Sequence, residues 1–240
     1  MCGTKGVPSS GGTRAAGVSK DALALCPNLN PHCLSPEQFA EQTGVSRETL
    51  ARLEAYANLL TEWSRRINLV AASTLADAWR RHFLDSAQLL SHLPPRPQNL
   101  IDLGSGAGFP GLVLAIMGVP GVELVESDAR KCAFLREVAR VAASAVDIRN
   151  ARIDSLPPRP VDVVTARGCA PLDRLLPWAE RFIGPGTVCL FPKGEQAGQE
   201  LAAAKKAWDF DVTRHDSRTD PRGVVLCLTR VKRRERGHRG

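Results

Sequence analysis

The sequence has no run of about 18 consecutive apolar residues, so nothing in it reads as a membrane span. Its seven cysteines (2, 26, 33, 132, 169, 189 and 227) are scattered, odd in number and without a CxxC pair. No disulfide framework or zinc site is legible, which suits a reducing cytoplasm. Cys132, Cys169, Cys189 and Cys227 lie in apolar or helical contexts, where a free cysteine behaves as a small core residue. Gly (20) and Pro (17) are too few and too aperiodic for a collagen or a wholly disordered chain. A secretory signal is missing as well, because Pro27 interrupts the only apolar stretch near the start. Aromatic residues are scarce, at 5% of 240 residues, so any stacking role falls on a handful of rings.

Hydrophobic residues make up 43%, enough for one sizeable core. The formal charge of +7 is unevenly placed. Residues 230–240 (RVKRRERGHRG) carry +5 and residues 1–33 carry +2, which leaves 34–229 formally neutral. Attraction to a polyanion therefore comes from the tails and from local clusters such as Arg65-Arg66. Residues 1–33, rich in Gly, Ser and Pro without periodicity, read as a disordered extension, and 232–240 as a basic tail.

Order begins at Ser35-Pro36-Glu37-Gln38, an N-cap with Pro at N1 and a capping-box Gln. A helix from Ser46 carries Leu50, Leu53, Ala57, Leu60 and Ile67 on one stripe, and another over 74–91 carries Trp79, Phe83, Ala87 and Leu90. Residues 34–98 thus form a helical segment closed by Pro94, Pro95 and Pro97. From residue 99 the pattern alternates. Strands are expected at 99–103, 122–126, 146–149, 161–166, 187–191, 210–214 and 223–231. Helices are expected from Pro110, over 128–142 with Ala133, Leu135 and Val138 inward, around Pro177, and from Lys193 to about Trp208. Such alternation predicts a doubly wound parallel sheet in residues 99–231, and the last strand pair, lacking a helix between its members, predicts an antiparallel end.

The strongest motif is DLGSGAGFPG, residues 102–111: a strand running into a glycine turn and then a helix start. Glycines let the backbone approach a ligand closely, and the helix N-terminus offers free N–H groups. Glu126 ends the next strand, where a carboxylate accepts both hydroxyl protons of a ribose. A nucleoside-containing ligand follows, with Asp102, Gly104, Gly106 and Glu126 as contacts. Read from Gly104 the turn is GxGxG, the shape used for S-adenosyl-L-methionine; read from Gly106 it is GxGxxG, which equally fits a dinucleotide. Two features favour the methyl donor: the antiparallel strand pair, and Asp154 after the third strand, placed for an adenine amino group.

Together with RHFLDS (81–86), VTARGCAPLDRLL (164–176) and FPKG (191–194), the motif resembles RsmG (GidB), the bacterial family that methylates guanine N7 in small-subunit (16S) ribosomal RNA. The likeness covers roughly residues 35–231. It implies a Rossmann-like class I methyltransferase fold with a seven-stranded, mostly parallel sheet, an antiparallel last strand and preceding helices. It also implies S-adenosyl-L-methionine as cofactor, 16S ribosomal RNA as partner, and donor contacts at Gly104, Phe109, Ile153, Asp154 and Arg167. Glu126 stands where the family commonly has Asp.

Arg167 and Lys193 sit at carboxyl ends of strands, where Arg167 can fork a carboxylate or phosphate and Lys193 can meet RNA backbone as a point charge. His82 and Asp85 share a helix face, either as an N–H to carboxylate pair or as a shaper of the target pocket. Guanine N7 attacks with a free lone pair, so no general base is assigned and these four are positioning candidates. The base must be unpaired or flipped to expose N7. Phe109, Trp79 and Phe191 are the rings expected near the active edge. Competing readings are a methyltransferase of a small molecule or protein, and an idle nucleoside- or RNA-binding module.

Overall fold

The structure, a computed structural model, describes Met1 and residues 33–234. The expectations for residues 1–33 and for the tail therefore lie almost wholly outside the described residues.

Helix α1 (Pro36–Thr43) is capped as its sequence dictates. Ser35 Oγ accepts from the Gln38 N–H, the Gln38 side chain accepts from the Ser35 N–H, and left-handed Gly44 ends it. Helix α2 (Arg47–Ser64) starts on Ser46, whose Oγ accepts from the Thr49 N–H, and buries Leu53, Tyr56, Ala57 and Leu60. Leu50 is only half-buried and Ile67 lies past the helix end, so the stripe is centred on Tyr56 instead.

The helix expected over 74–91 is broken into pieces. After the single turn α3 (Ala72–Leu75), residues Trp79–Leu84 form a π-helical turn in which the Asp85 N–H reaches the Arg80 carbonyl. Helix α4 (Asp85–Ala87) then runs into a 3-10 turn, Gln88–His92. Trp79, Phe83 and Ala87 are buried as their spacing requires, but the tighter 3-10 winding of about three residues per turn brings Leu89 inside rather than Leu90.

Seven strands form one sheet: β1 (Leu100–Leu103), β2 (Val122–Glu126), β3 (Asp147–Asn150), β4 (Val163–Thr165), β5 (Val188–Lys193), β6 (Trp208–Asp216) and β7 (Val224–Arg233). Their order is β3-β2-β1-β4-β5-β7-β6. The pairs among β1 to β5 are parallel, and β7 runs antiparallel to both β5 and β6. Helices α5 (Gly111–Ile116), α6 (Ala129–Val141), α7 (Leu172–Ala179) and α8 (Ala197–Ala204) follow β1, β2, β4 and β5. Pro177 is accommodated inside α7. In α6 the buried residues are Cys132, Phe134, Leu135 and Val138, while Ala133, expected inward, is exposed.

Central β1 is buried along its whole length, and its neighbours' apolar runs pack with α7 and α8 into a core that includes Ile101, Val164, Leu176, Phe191 and Leu226. Because β1, β2, β4 and β5 are parallel, their carboxyl ends open on one edge, where ligands of such sheets are held. Among the described residues no helix is long and apolar enough to cross a membrane, and no group of three or more His, Cys, Asp or Glu is placed to hold a metal ion.

Candidate functional site

At that edge lies a cavity of about 990 Å³, walled by the glycine turn and the loops after β2, β3, β4 and β5, and by residues 69–85 and 217–224. The turn is shaped by its neighbours. Gly108 has φ 95°, and a Cβ there would lie 2.6 Å from Tyr56 Oη and 3.0 Å from Leu135 Cδ2. Tyr56, fully buried on α2, donates its hydroxyl proton to the Ala107 carbonyl and stacks on Phe109 with centroids 5.2 Å apart. Gly106 differs: with φ 58°, its Cβ direction is open, the nearest atom being Gly104 O at 3.9 Å. Here the backbone faces free space in the cavity it lines.

Asp102 and Glu126 were both expected as ligand contacts, and their placements diverge. Asp102 is 0% exposed beneath the turn, accepting from Thr165 Oγ1 at 2.7 Å and from the Gly111 N–H at 3.3 Å, and it does not line the cavity. Burial pushes its carboxyl up to about 6, against the pull of those hydrogen bonds. It braces the turn. Glu126 does line the cavity, with Oε2 accepting from the Gly106 N–H at 2.9 Å and Oε1 from the Asp128 N–H at 2.7 Å. Each oxygen keeps a second lone pair.

Further along the wall, Ile153 and Asp154 occupy a 3-10 turn, Ile153–Ser155, that follows β3. The forked Arg152 guanidinium, at 3.1 and 2.9 Å, holds the Asp154 carboxyl below the usual carboxylate range. Trp178 of α7 also lines this end and packs on the same core as Ile153.

The opposite end gathers charges. Arg167, just beyond β4, donates from Nη1 to the Arg81 carbonyl (2.9 Å) and to Asp85 Oδ2 (3.0 Å), and from Nη2 to His82 Nδ1 (3.0 Å). Its guanidinium lies 5.0 Å from the Phe109 ring centroid, and the His82 ring stacks on the same Phe109 at 5.0 Å. The helical spacing does put His82 and Asp85 on one face, but the N–H to carboxylate pair does not form; Arg167 joins them instead. Burial, then Arg167 and Arg81, depress the His82 imidazole to about 3.

Asp85 also accepts from Thr219 Oγ1 (2.8 Å) and Gln88 Nε2 (2.9 Å). Arg80 donates to the Thr219 carbonyl at 2.9 Å and Arg81 meets Asp220 at 3.1 Å, which ties the π-helical turn to the β6–β7 loop. The Arg222 N–H and then Arg81 hold the Asp220 carboxyl below its ordinary value. Lys193 is not a free point charge. Its side chain is 9% exposed, 2.8 Å from Glu200 and 2.7 Å from the Ala170 carbonyl, while Glu200 also accepts from the Leu172 N–H.

Of the expected site residues, Gly104, Gly106, Phe109, Glu126, Ile153, Asp154, Arg167, His82, Asp85 and Lys193 are brought to one cavity. Trp79 and Phe191 are buried away from it, because both point into cores. Cys132 and Cys189 are buried as expected, whereas Cys169 lines the cavity and burial raises its thiol. Tyr56 and Trp178 were missed. The signal for Tyr56 was available: a lone tyrosine on an apolar stripe needs a partner for its hydroxyl.

The donor set fits an adenosyl cofactor. An unobstructed backbone at Gly106, a carboxylate with spare lone pairs at Glu126, and apolar surface beside an acid at Ile153 and Asp154 match the ribose and adenine of such a group.

A family model described as rRNA small subunit methyltransferase G (GidB) matches residues 49–221. The ribosomal RNA small subunit methyltransferase G of Paramagnetospirillum magneticum is 55% identical over 200 residues, covering 83% of this chain and 98% of that relative. The protein of the same name from Rhodospirillum rubrum is 53% identical over 200 residues, covering 83% and 100%. Among solved structures, a TehB-like SAM-dependent methyltransferase from Corynebacterium glutamicum aligns with TM-score 0.50 at 16% identity, over 75% of this chain and 98% of that one. The glycopeptide N-methyltransferase MtfA complexed with S-adenosyl-L-methionine aligns with TM-score 0.51 at 10% identity, over 62% and 93%. These two likenesses show a Rossmann-like methyltransferase fold and nothing narrower.

Proposed function

Because this chain belongs to the rRNA small subunit methyltransferase G family, we propose that it transfers a methyl group from S-adenosyl-L-methionine to N7 of a guanine in 16S ribosomal RNA. When bound, S-adenosyl-L-methionine supplies a methyl group activated by its sulfonium. Glu126 accepts the ribose hydroxyl protons, Ile153 and Trp178 cover the adenine, and Asp154 accepts from its amino group. The Gly104–Gly106 backbone lets the chain pass close beneath. Arg167 has five N–H donors and spends three on Arg81, Asp85 and His82. The remaining pair, along its Nε edge, forks the methionine carboxylate.

The observation that carries the N7 reading is that, among the described residues, each carboxylate and imidazole at the charged end of the cavity is already engaged. Asp85 is bound to Arg167, Glu200 to Lys193, Asp220 to Arg81, and both His82 nitrogens are engaged. A site built this way suits a nucleophile that brings a free lone pair and sheds no proton, as guanine N7 does. The residues' task is to align the nucleophile with the methyl and to exclude water. An N7 buried in the deep groove of an RNA helix is out of reach, so the target base is splayed out of its stack.

The test is mass-spectrometric mapping of 16S ribosomal RNA from cells with and without this protein. One N7-methylguanine disappears on deletion and returns on complementation. An unchanged map, or the loss of a mark on another atom, overturns the reading.

A further inference from the structure

We infer that His82 is a positioning residue that fixes the Arg167 guanidinium over Phe109 through a hydrogen-bond chain of single polarity, oriented at its far end by Thr74. The inference rests on the reading of Arg167 as the anchor of the cofactor's carboxylate.

A guanidinium only donates, so the 3.0 Å contact from Arg167 Nη2 requires an unprotonated His82 Nδ1. The ring proton is then on Nε2, 2.8 Å from Thr74 Oγ1. Thr74 accepts it and sends its own proton to the Ala71 carbonyl at 2.7 Å. The order Arg167 to His82 to Thr74 to Ala71 thus admits one tautomer and one direction. A second proton on His82 would set two donors face to face at Arg167.

The surroundings agree. The groups against His82 are the cations Arg167 and Arg81 and the Phe109 ring; Asp85, one turn along, is taken up by Arg167 Nη1 and not by the imidazole. Burial and the two cations keep His82 neutral through mildly acidic and neutral pH. Ala71 and Thr74 line the same cavity, so the chain ties its acceptor wall to the glycine turn through Phe109.

The experiment measures equilibrium binding of S-adenosyl-L-homocysteine to the full chain, with methyl transfer to unmodified small ribosomal subunits as a second readout. His82→Phe keeps a ring over Phe109 but removes the acceptor, and weakens binding about tenfold, the scale of a charge-assisted hydrogen bond. His82→Asn places an amide oxygen where Nδ1 lies and stays within about twofold of the parent. In an Arg167→Met background His82→Phe adds less than about twofold, because the two act as a unit. Between pH 5.5 and 8 the parent chain and His82→Asn follow the same binding profile, because His82 stays neutral over that range. Should His82→Phe not fold, Thr74→Val carries the test with a loss of about threefold that Thr74→Ser reverses.

Equal weakening by His82→Phe and His82→Asn, additive losses with Arg167→Met, or equal binding by Thr74→Val and Thr74→Ser overturns the inference. Binding involves no RNA, so the two readings fail separately. If the binding pattern holds but no methyl reaches the ribosomal subunit, the proposed function is wrong and the positioning role stands.

Discussion

The two ends of the cavity are built by different means. At the glycine turn, the backbone itself lines the cavity, braced from beneath by Tyr56 on the Ala107 carbonyl and Asp102 on the Gly111 N–H, and from the side by Glu126 on the Gly106 N–H. At the other end, the surface is made of charged side chains that satisfy one another: Arg167 with Asp85, Lys193 with Glu200, Arg81 with Asp220. The first arrangement is set largely by contiguous sequence. In the second, Lys193 and Glu200 are near in sequence, but Arg167 and Asp85 are 82 residues apart and Arg81 and Asp220 139. A turn of this kind loses its shape through one added atom, whereas a charge lattice is damaged by removing one partner and repaired by removing both.

Substitutions at the turn and in the charge lattice sharpen that contrast. The largest effect is expected at Gly108→Ala, where left-handed φ and the Tyr56 hydroxyl 2.6 Å from the new Cβ together cost about 4 kcal/mol in urea unfolding. Gly106→Ala, with open space at its Cβ, costs about 1 kcal/mol yet abolishes S-adenosyl-L-homocysteine binding. Equal effects in the two would refute the division between a packed and an open side of the turn. Next comes Lys193→Met, which strands a mostly buried Glu200 and costs about 3 kcal/mol, while Lys193→Met with Glu200→Gln recovers most of it. A double variant as unstable as the sum of its parts would show that the pair is not a unit.

Asp102 adds a pH signature. Its folded-state carboxyl is raised from 3.8 to about 6, so the folded chain holds this proton more tightly than the unfolded one. The associated stability is full below about pH 4 and is lost as pH rises to about 6. Relative to Asp102→Asn, the parent protein therefore loses about 2 kcal/mol between pH 4.5 and 7.5 in paired urea titrations. A pH-independent difference would mean that Asp102 titrates normally. The smallest effect is Tyr56→Phe, about 1 kcal/mol of stability for one hydroxyl to carbonyl hydrogen bond, with ring stacking on Phe109 retained.

The same contrast decides what could be read in advance. The strand, the glycine turn and the acid twenty residues after Gly106 are local, so their meeting at one end of the cavity was legible from spacing. The parallel order and the reversed last strand followed from where helices alternate with strands and where they stop doing so. Asp102 was misplaced because alternation along β1 turns it toward α5 instead of the cavity, a choice of face that its position before the turn does not reveal. Lys193 looked like a free cation because nothing in its own strand signals that Glu200 folds back onto it. His82 and Asp85 were correctly placed on one face, but their shared partner, Arg167, is 85 and 82 residues away. The π-helical turn that presents them has no signature in hydrophobic spacing, and the 3-10 winding after it moved Leu89 into Leu90's expected place.

The β6–β7 loop contributes Thr219 and Asp220 to a wall whose other members, Arg80, Arg81 and Asp85, were made some 134 to 139 residues earlier. During synthesis the glycine turn gains its Tyr56 brace 51 residues after that tyrosine is made, while the cavity wall still awaits Glu126, Ile153, Asp154 and Arg167. The charged end of the cavity lacks its Thr219 and Asp220 contacts until the β6–β7 loop emerges. The turn is thus shaped early, and the charged wall opposite it closes only when the β6–β7 loop arrives.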